Sequence, residues 1–340
     1  MNRENKNRVT LQQVAKHAGV SRATASLVVR NSSSISDKTK KKVLASIHEL
    51  GYVYDRVAAN LRSQRSSTVG IIITDIGNTF FSDLLKGINR TLEEHGYTVL
   101  LGTTYDSEDK QDRLLSTMLE HRVGGIILCP TSDTSKETME RLEKMDLPLV
   151  LAVRELIGLN TDYVGVNYRD GALMAVNHLI MKGHKKIAFL GGRKESSAWK
   201  QRLDGYLLAF QQAGLEVDES LFISSSPTRE GGIAALHKLL LKGDTPSAVF
   251  CFNDLVALGV MYAIQNVGLT PGKDIAVVGF DNIPESTITN PPLTTISSFA
   301  HQIGSNAAQL LHKRIMDVNH NPERIILSPE LVIRETTFEK

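Results

Sequence analysis

The sequence predicts a small all-α helix-turn-helix head joined to an α/β body of two doubly wound parallel-sheet lobes. Three observations predict it. Charge is divided along the chain: residues 1–66 hold 13 Lys and Arg against four acids, a surplus of +9, whereas the remainder carries −7, so the total of +2 conceals a basic head on a mildly acidic body. Two short helical patterns flank Gly19 near the N-terminus. From Val69 onward, short apolar runs alternate with longer amphipathic stretches. A basic head of this kind points to a polyanion that meets the head alone. The competing reading, a solvated basic tail, is disfavoured because the segment is patterned like a folded domain.

In the head, Thr10-Leu11-Gln12-Gln13 has the form of a capping box, a hydroxyl followed three residues later by Gln. Leu11, Val14, Ala15 and Ala18 then recur at helical spacing. Gly19 breaks the helix, Val20 follows as an apolar plug, and Ser21 is placed to cap a second helix running through Val29. Helix, tight glycine turn, helix is the helix-turn-helix pattern. The second helix sets Arg22, Ala23 and Ser26 on one side and Ala25, Val28 and Val29 on the other. A third helix begins near Ser36-Asp37, supplies Val43, Leu44, Ile47 and Leu50 to the core, and ends at Gly51. Asp55 to Arg62 has helical composition but is shorter than the roughly 12–15 residues a free helix needs, so it suits a segment that orders when something packs on it. Gln64 to Ser67 reads as a link.

The body's apolar runs are VGIIIT, YTVLLG, VGGIILC, LPLVLAV, KIAFLGG, PSAVFCF and IAVVGF, with helical segments near 82–95, 108–121, 134–145, 169–182, 199–213, 229–241 and 254–267. This alternation means βαβ units and a parallel sheet covered on both faces. Seven runs exceed one sheet of five or six strands, so two lobes are expected. Ligands bind such lobes beyond the carboxyl ends of the strands. The residues there are Asp75, Asn78, Phe80 and Phe81, then Arg154, then Trp199 and Arg202, then Asn253 and Asp254, and finally Asp281. Aromatic faces mixed with carboxylates, an amide and arginines suit a polar ring such as a sugar, and also a purine or a small acid. Simpler roles compete: Phe80 and Phe81 as core, Asn253 and Asp254 as helix caps, Arg154 as a structural cation.

VTLQQVAKHAGVSRATAS and KVLASIHELGYVYDRVAANLRS resemble the head of the lactose/galactose repressor family of bacterial transcription regulators, and FNDLVALGVMYAIQNVGLTPGKDIAVVGFDN and NPPLTTI resemble its effector-binding core, which is similar to periplasmic sugar-binding proteins. The resemblance covers nearly the whole chain. It implies that the second helix enters the major groove through its first turn. Arg22 would contact a base, since Arg matches the paired acceptors of guanine, and Ala23 would touch a thymine methyl. Thr10, Ser21, Thr24, Ser26 and Tyr52 would hold phosphate and fix register. Residues 55–66 would be a hinge helix and linker, with Arg56 and Ala58 at the DNA and Leu61 wedged into a central minor-groove step. Phe80, Phe81, Arg154, Arg202, Asn253 and Asp281 would bind the effector. Departures from the family pattern are Leu27 where Arg is common, Ala25 for Val, Thr79 for Pro, and Val153-Arg154 where sugar-binding members often have Asp. The last weakens a neutral-sugar reading and leaves room for an anionic effector.

The implied organisation is a head at 1–54, a hinge at 55–66 and an effector-binding and dimerisation core at 67–340. Its first lobe spans about 67–163 plus 297–323 and its second about 168–292 plus 326–337. The implied partners are double-stranded DNA with a near-palindromic operator, a small-molecule effector and a second copy of the chain, since a homodimer matches a two-fold site. No cofactor or metal is expected. The P-loop, GxGxxG, HExxH and GxSxG patterns are absent from the sequence, which disfavours an enzyme. The polar N-terminus, and the lack of a run approaching 18 apolar residues, suggest a cytoplasmic protein with no membrane partner. Cys129 and Cys251 lie in apolar runs and read as buried thiols.

Overall fold

The computed structural model describes residues 9–337, apart from 30–31, 33, 54–65, 146, 244, 318 and 320. The chain divides into two compact units, residues 1–65 and 66–340.

In the first unit, α1 (Leu11–Ala18), α2 (Arg22–Val29) and α3 (Asp37–Leu50) close a small core of Val14, Ala15, Ala18, Ala25, Val28 and Val43. The capping box is present: the Gln13 amide donates to Thr10 Oγ1 at 3.3 Å, and the Thr10 amide donates to Gln13 Oε1 at 2.7 Å. Gly19 takes φ 63°, and its neighbour's amide, that of Val20, returns to the Ala15 carbonyl at 2.9 Å. This left-handed stop turns the chain sharply into α2 at no Cβ cost. Val20 packs against the core as expected. Leu44 does not: it is 55% exposed. The inward stripe of α3 runs through Val43, Ser46, Ile47 and Leu50, and Leu44 lies about 100° round from Val43. Ser46 occupies the inward place instead, its hydroxyl 3.1 Å from His17 Nδ1.

The second unit holds two six-stranded sheets. The first contains β1 (Thr68–Ile73), β2 (Thr98–Thr103), β3 (Ile126–Leu128), β4 (Leu149–Ala152), β5 (Asp162–Val166) and β11 (Arg324–Leu327), in the order β11-β5-β4-β3-β1-β2. The second contains β6 (Ile187–Leu190), β7 (Phe222–Ile223), β8 (Ala248–Cys251), β9 (Ala276–Asp281), β10 (Thr294–Ser297) and β12 (Glu330–Val332), in the order β12-β10-β9-β8-β6-β7. Every pairing is parallel except that of edge strand β12 with β10. The seven apolar runs are strands β1, β2, β3, β4, β6, β8 and β9, and their central strands are buried on both faces. Strands β5, β7 and β10 add to them. β5 and β11 extend past the expected lobe edges, to Val166 and Leu327, and β10 belongs to the second sheet through Ser297, so the chain passes between sheets at 167, 298–299 and 328–329.

The helices of the first lobe are α4 (Thr79–Glu94), α5 (Glu108–Glu120), α6 (Lys136–Lys144) and α11 (Ala300–Met316). Those of the second are α7 (Tyr168–Met181), α8 (Ser197–Gln212), α9 (Arg229–Leu241) and α10 (Asp254–Asn266). As the resemblance implied, α11 packs back on the first lobe, where it crosses α4 at two glycines. A Cβ on Gly87 would lie 2.1 Å from the His301 carbonyl oxygen, and one on Gly304 2.1 Å from that of Leu84. Both cysteines are free and buried. No helix among the described residues is long and apolar enough to cross a membrane.

Candidate functional site

On the head, Ser21, Arg22 and Ala23 are exposed at the start of α2, while Ala25 and Val28 face the core. Ser21 caps the helix, accepting from the Thr24 amide at 3.1 Å, and its hydroxyl lies 2.9 Å from Thr24 Oγ1. A helix start with free amides and an exposed Arg is suited to a phosphate backbone and a base edge. Ser26 is half-buried on the same outward side. Thr10 is exposed, though its oxygen serves the α1 cap. Tyr52 is half-buried against the head core. Arg56, Ala58 and Leu61 lie outside the described residues.

In the second unit, a cleft lies where the carboxyl ends of β1, β4, β8 and β9 converge from the two sheets. All six residues expected from the sequence, Phe80, Phe81, Arg154, Arg202, Asn253 and Asp281, line it. Thr74, Asp75, Asn78, Tyr168, Phe252 and Thr228 complete the polar and aromatic wall. Trp199, which also follows a strand, turns inward: its ring stacks on Phe189 and its Nε1 donates to the Gly191 carbonyl at 3.1 Å. Two residues at the cleft end of their strands hold left-handed backbone, Val153 at φ 69° and Asp281 at φ 111°. A β-branched residue there is an outlier, and such strain gathers where a structure positions functional groups.

Asn78 caps α4 by accepting from the Phe80 amide at 3.0 Å, which fixes the turn that presents Phe80 and Phe81. The two rings meet edge to face at 5.1 Å, and both are buried while still reaching the cleft, so the core and binding roles coexist. Asn253 likewise does both: its Oδ1 caps α10 at the Val256 amide, 2.9 Å, and its Nδ2 donates to the Pro227 carbonyl at 3.2 Å.

Arg202 is 3% exposed, and its guanidinium lies over the rings of Tyr168, Phe252 and Phe280 at 4.3, 4.4 and 4.0 Å. Each such contact contributes about 0.5–2 kcal/mol and together they fix the plane of the group. Nη1 donates to the Ala198 carbonyl at 3.0 Å, Nη2 stands 3.9 Å from Asp281 Oδ1, and Nε has no partner. Burial pushes Asp281 up to about 7 against the opposing pull of Arg202 and the Ser298 hydroxyl, and burial also pulls Arg202 down. Behind them Asp254 is fully buried, accepting from Thr295 Oγ1 at 2.5 Å and from the Ile283 amide at 2.9 Å, and burial holds it well above the usual carboxylate range. An orphaned, buried N–H such as Arg202 Nε is costly unless a ligand pairs it.

Arg154 differs from the expectation that it leaves room for an anion. Its Nη1 donates to Asp106 Oδ1 at 2.6 Å and to the Pro130 carbonyl at 3.1 Å, so its charge is already neutralised. Asp106, on the turn after β2, was not legible as a site residue; nothing in its local sequence signals that a strand end 48 residues later needs a counter-ion. Tyr168 and Phe252 were missed for a related reason, because each reads as an ordinary core aromatic. Among the described residues, no group of three or more His, Cys, Asp or Glu is placed to hold a metal.

Comparison with known proteins agrees with this architecture. Residues 66–335 match the periplasmic binding proteins and sugar binding domain of the LacI family, and residues 10–55 match the bacterial regulatory proteins of the lacI family. The chain is 35% identical to the HTH-type transcriptional repressor PurR of Vibrio vulnificus (strain CMCP6) over 96% of its length and 98% of the relative's. It is similar to the lac repressor dimer bound to operator and the anti-inducer ONPF, with TM-score 0.85 and 27% identity over 98% of this chain and 100% of that one. It is also similar to the transcriptional regulator CelR in its cellobiose complex, with TM-score 0.74 and 30% identity over 97% and 100% of the two chains. The exposed start of α2 on a three-helix head and the two-lobed cleft of the second unit thus have counterparts along the full length of these regulators, and the chain is a DNA-binding transcription regulator of the LacI family.

Proposed function

We propose that the chain is a homodimeric repressor whose operator affinity is set by a neutral, hydroxyl-rich effector bound between its lobes. One observation carries the effector class: Arg202, its buried Nε unpartnered and its Nη2 3.9 Å from Asp281 Oδ1, lines a cleft of aromatic faces. A donor fork, a carboxylate and an amide around aromatic rings satisfy vicinal hydroxyls on a ring. Asp106 pairs with Arg154, and Asp75 also faces the space, which disfavours a net anion. The LacI-type relatives support the same reading, CelR having been solved with cellobiose and the lac repressor with ONPF. The relatives named are transcription regulators rather than enzymes, and we infer that the effector leaves chemically unchanged.

The proposed division is a head at 1–54, a hinge at 55–66 and an effector-binding, dimerising core at 67–340, acting in the cytoplasm at the nucleoid. Arg22 and Ala23 read bases; Thr10, Ser21, Thr24, Ser26 and Tyr52 hold the backbone; Arg56, Ala58 and Leu61 serve the hinge contact. Phe80, Phe81, Arg154, Arg202, Asn253 and Asp281 form the effector site. The test is calorimetric titration of the full chain with neutral sugars and polyols, beside Arg202→Gln. Binding by the parent that is lost in the variant supports the reading. Tight binding of sugar phosphates or carboxylates alone would overturn the neutral class.

A further inference from the structure

Asp106 sits on a turn that two consecutive non-glycine residues hold in left-handed backbone, Tyr105 at φ 49° and Asp106 at φ 59°. Its carboxylate is nearly buried and saturated with donors. Oδ1 accepts from the Ser132 amide at 3.0 Å and from Arg154 Nη1 at 2.6 Å, while Oδ2 accepts from the Ser132 hydroxyl at 2.7 Å and faces Arg193 Nε of the second lobe at 3.4 Å. Arg154 and Ser132 belong to the first lobe, so the cluster ties both lobes at one end of the cleft. Beyond it lies a second cavity of about 160 Å³, lined by Thr131, Ser132, Thr134, Glu155, Ser197 and Lys200 among others. Among the described residues, Arg154 is the one that lines both this cavity and the effector cleft. Arg154 therefore stands where the two spaces approach each other.

We propose that Asp106 is a specificity-determining positioning residue: it pins Arg154 as a wall between the two spaces and confines the effector to a single ring. The proposal rests on the reading of the cleft as a site for a hydroxyl-rich effector. The physical basis is that a wall fixed by a short, nearly buried ion pair and a carbonyl does not swing aside for a ligand whose second ring would strand that pair. A second sugar ring is therefore rejected by Arg154 held in place, whichever first ring binds. The neutral isostere Asp106→Asn loses the charge that holds Arg154 and Arg193, while keeping the shape of the turn.

The experiment titrates the full chain, parent and Asp106→Asn, with a panel of neutral monosaccharides and their disaccharides, cellobiose included. It also follows alkylation of Cys129 by iodoacetamide with peptide mapping. Cys129 is 1% exposed and interacts with Arg154, and burial pushes its thiol up to about 12, so it is silent while the packing around Arg154 holds. In the parent, a monosaccharide binds and its disaccharide does not; in Asp106→Asn the disaccharide gains roughly ten-fold or more in affinity relative to the monosaccharide. Alkylation of Cys129 accelerates roughly ten-fold or more in the variant, with that of buried Cys251 unchanged as the control for global unfolding. A parent that binds a disaccharide as tightly as its single-ring component overturns the wall. If no sugar binds the parent, the effector reading has failed, and the alkylation rates still judge the wall: equal rates in parent and variant overturn it.

Discussion

At the scale of single residues, the proposed base contact rests on Arg22, the exposed, multiply donating side chain at the start of α2. Arg22→Ala is expected to weaken operator binding by about 1–3 kcal/mol while non-specific DNA binding changes much less, as measured by anisotropy on operator and scrambled duplexes. Asp281 gives a second prediction. Burial raises its pKa in the folded protein to about 7, above its ordinary value, so the folded state holds a proton that the unfolded chain has released. Stability contributed by that proton is present at low pH and is lost as pH rises from the ordinary carboxylate range through about 7. Urea midpoints taken across this window should fall with pH in the parent and fall less steeply in Asp281→Asn. The same residues show what a sequence discloses. The positions after strands β1, β8 and β9 were legible, since sheet geometry dictates that ligands gather there. Asp106 and Tyr168 were not, because their roles depend on partners distant in the chain.

Secondary-structure elements explain why the head can be so small. The capping box on α1 and the left-handed Gly19 fix both ends of an eight-residue helix that would not persist alone. Thr10→Ala is expected to cost the head about 1 kcal/mol, read as a lower thermal midpoint for the head transition in calorimetry. These local signals were written plainly in Thr10, Gln13, Gly19 and Ser21, and the helices begin and end close to where the signals fall. Leu44 shows the limit: an apolar residue one place off the inward stripe reads as core until the helix face is fixed by Val43 and Ile47. Strand β7, two residues long, and β5, with Asp and Gly in five residues, carry too little apolar pattern to stand out. For the hinge, Leu61→Ala is expected to lower operator affinity with little change in effector binding; unchanged operator affinity would remove the wedge from the account.

At the scale of the whole molecule, the chain divides into a basic head and a two-lobed core. The basic surplus lies in the first 66 residues, so operator affinity should fall steeply with salt, whereas effector affinity should not. In the proposed mechanism, effector and operator each bind one form of a dimer better, and the coupling between them is reciprocal, about 1–3 kcal/mol or 5–150-fold in either affinity. The most direct test of this account is selection of genomic DNA fragments by the purified full chain at one stated moderate salt concentration, with and without a metabolite extract from the same cells. The account expects one or a few near-palindromic sites, recovered in amounts that the extract changes. Diffuse recovery with no shared half-site, identical in both arms, would contradict it.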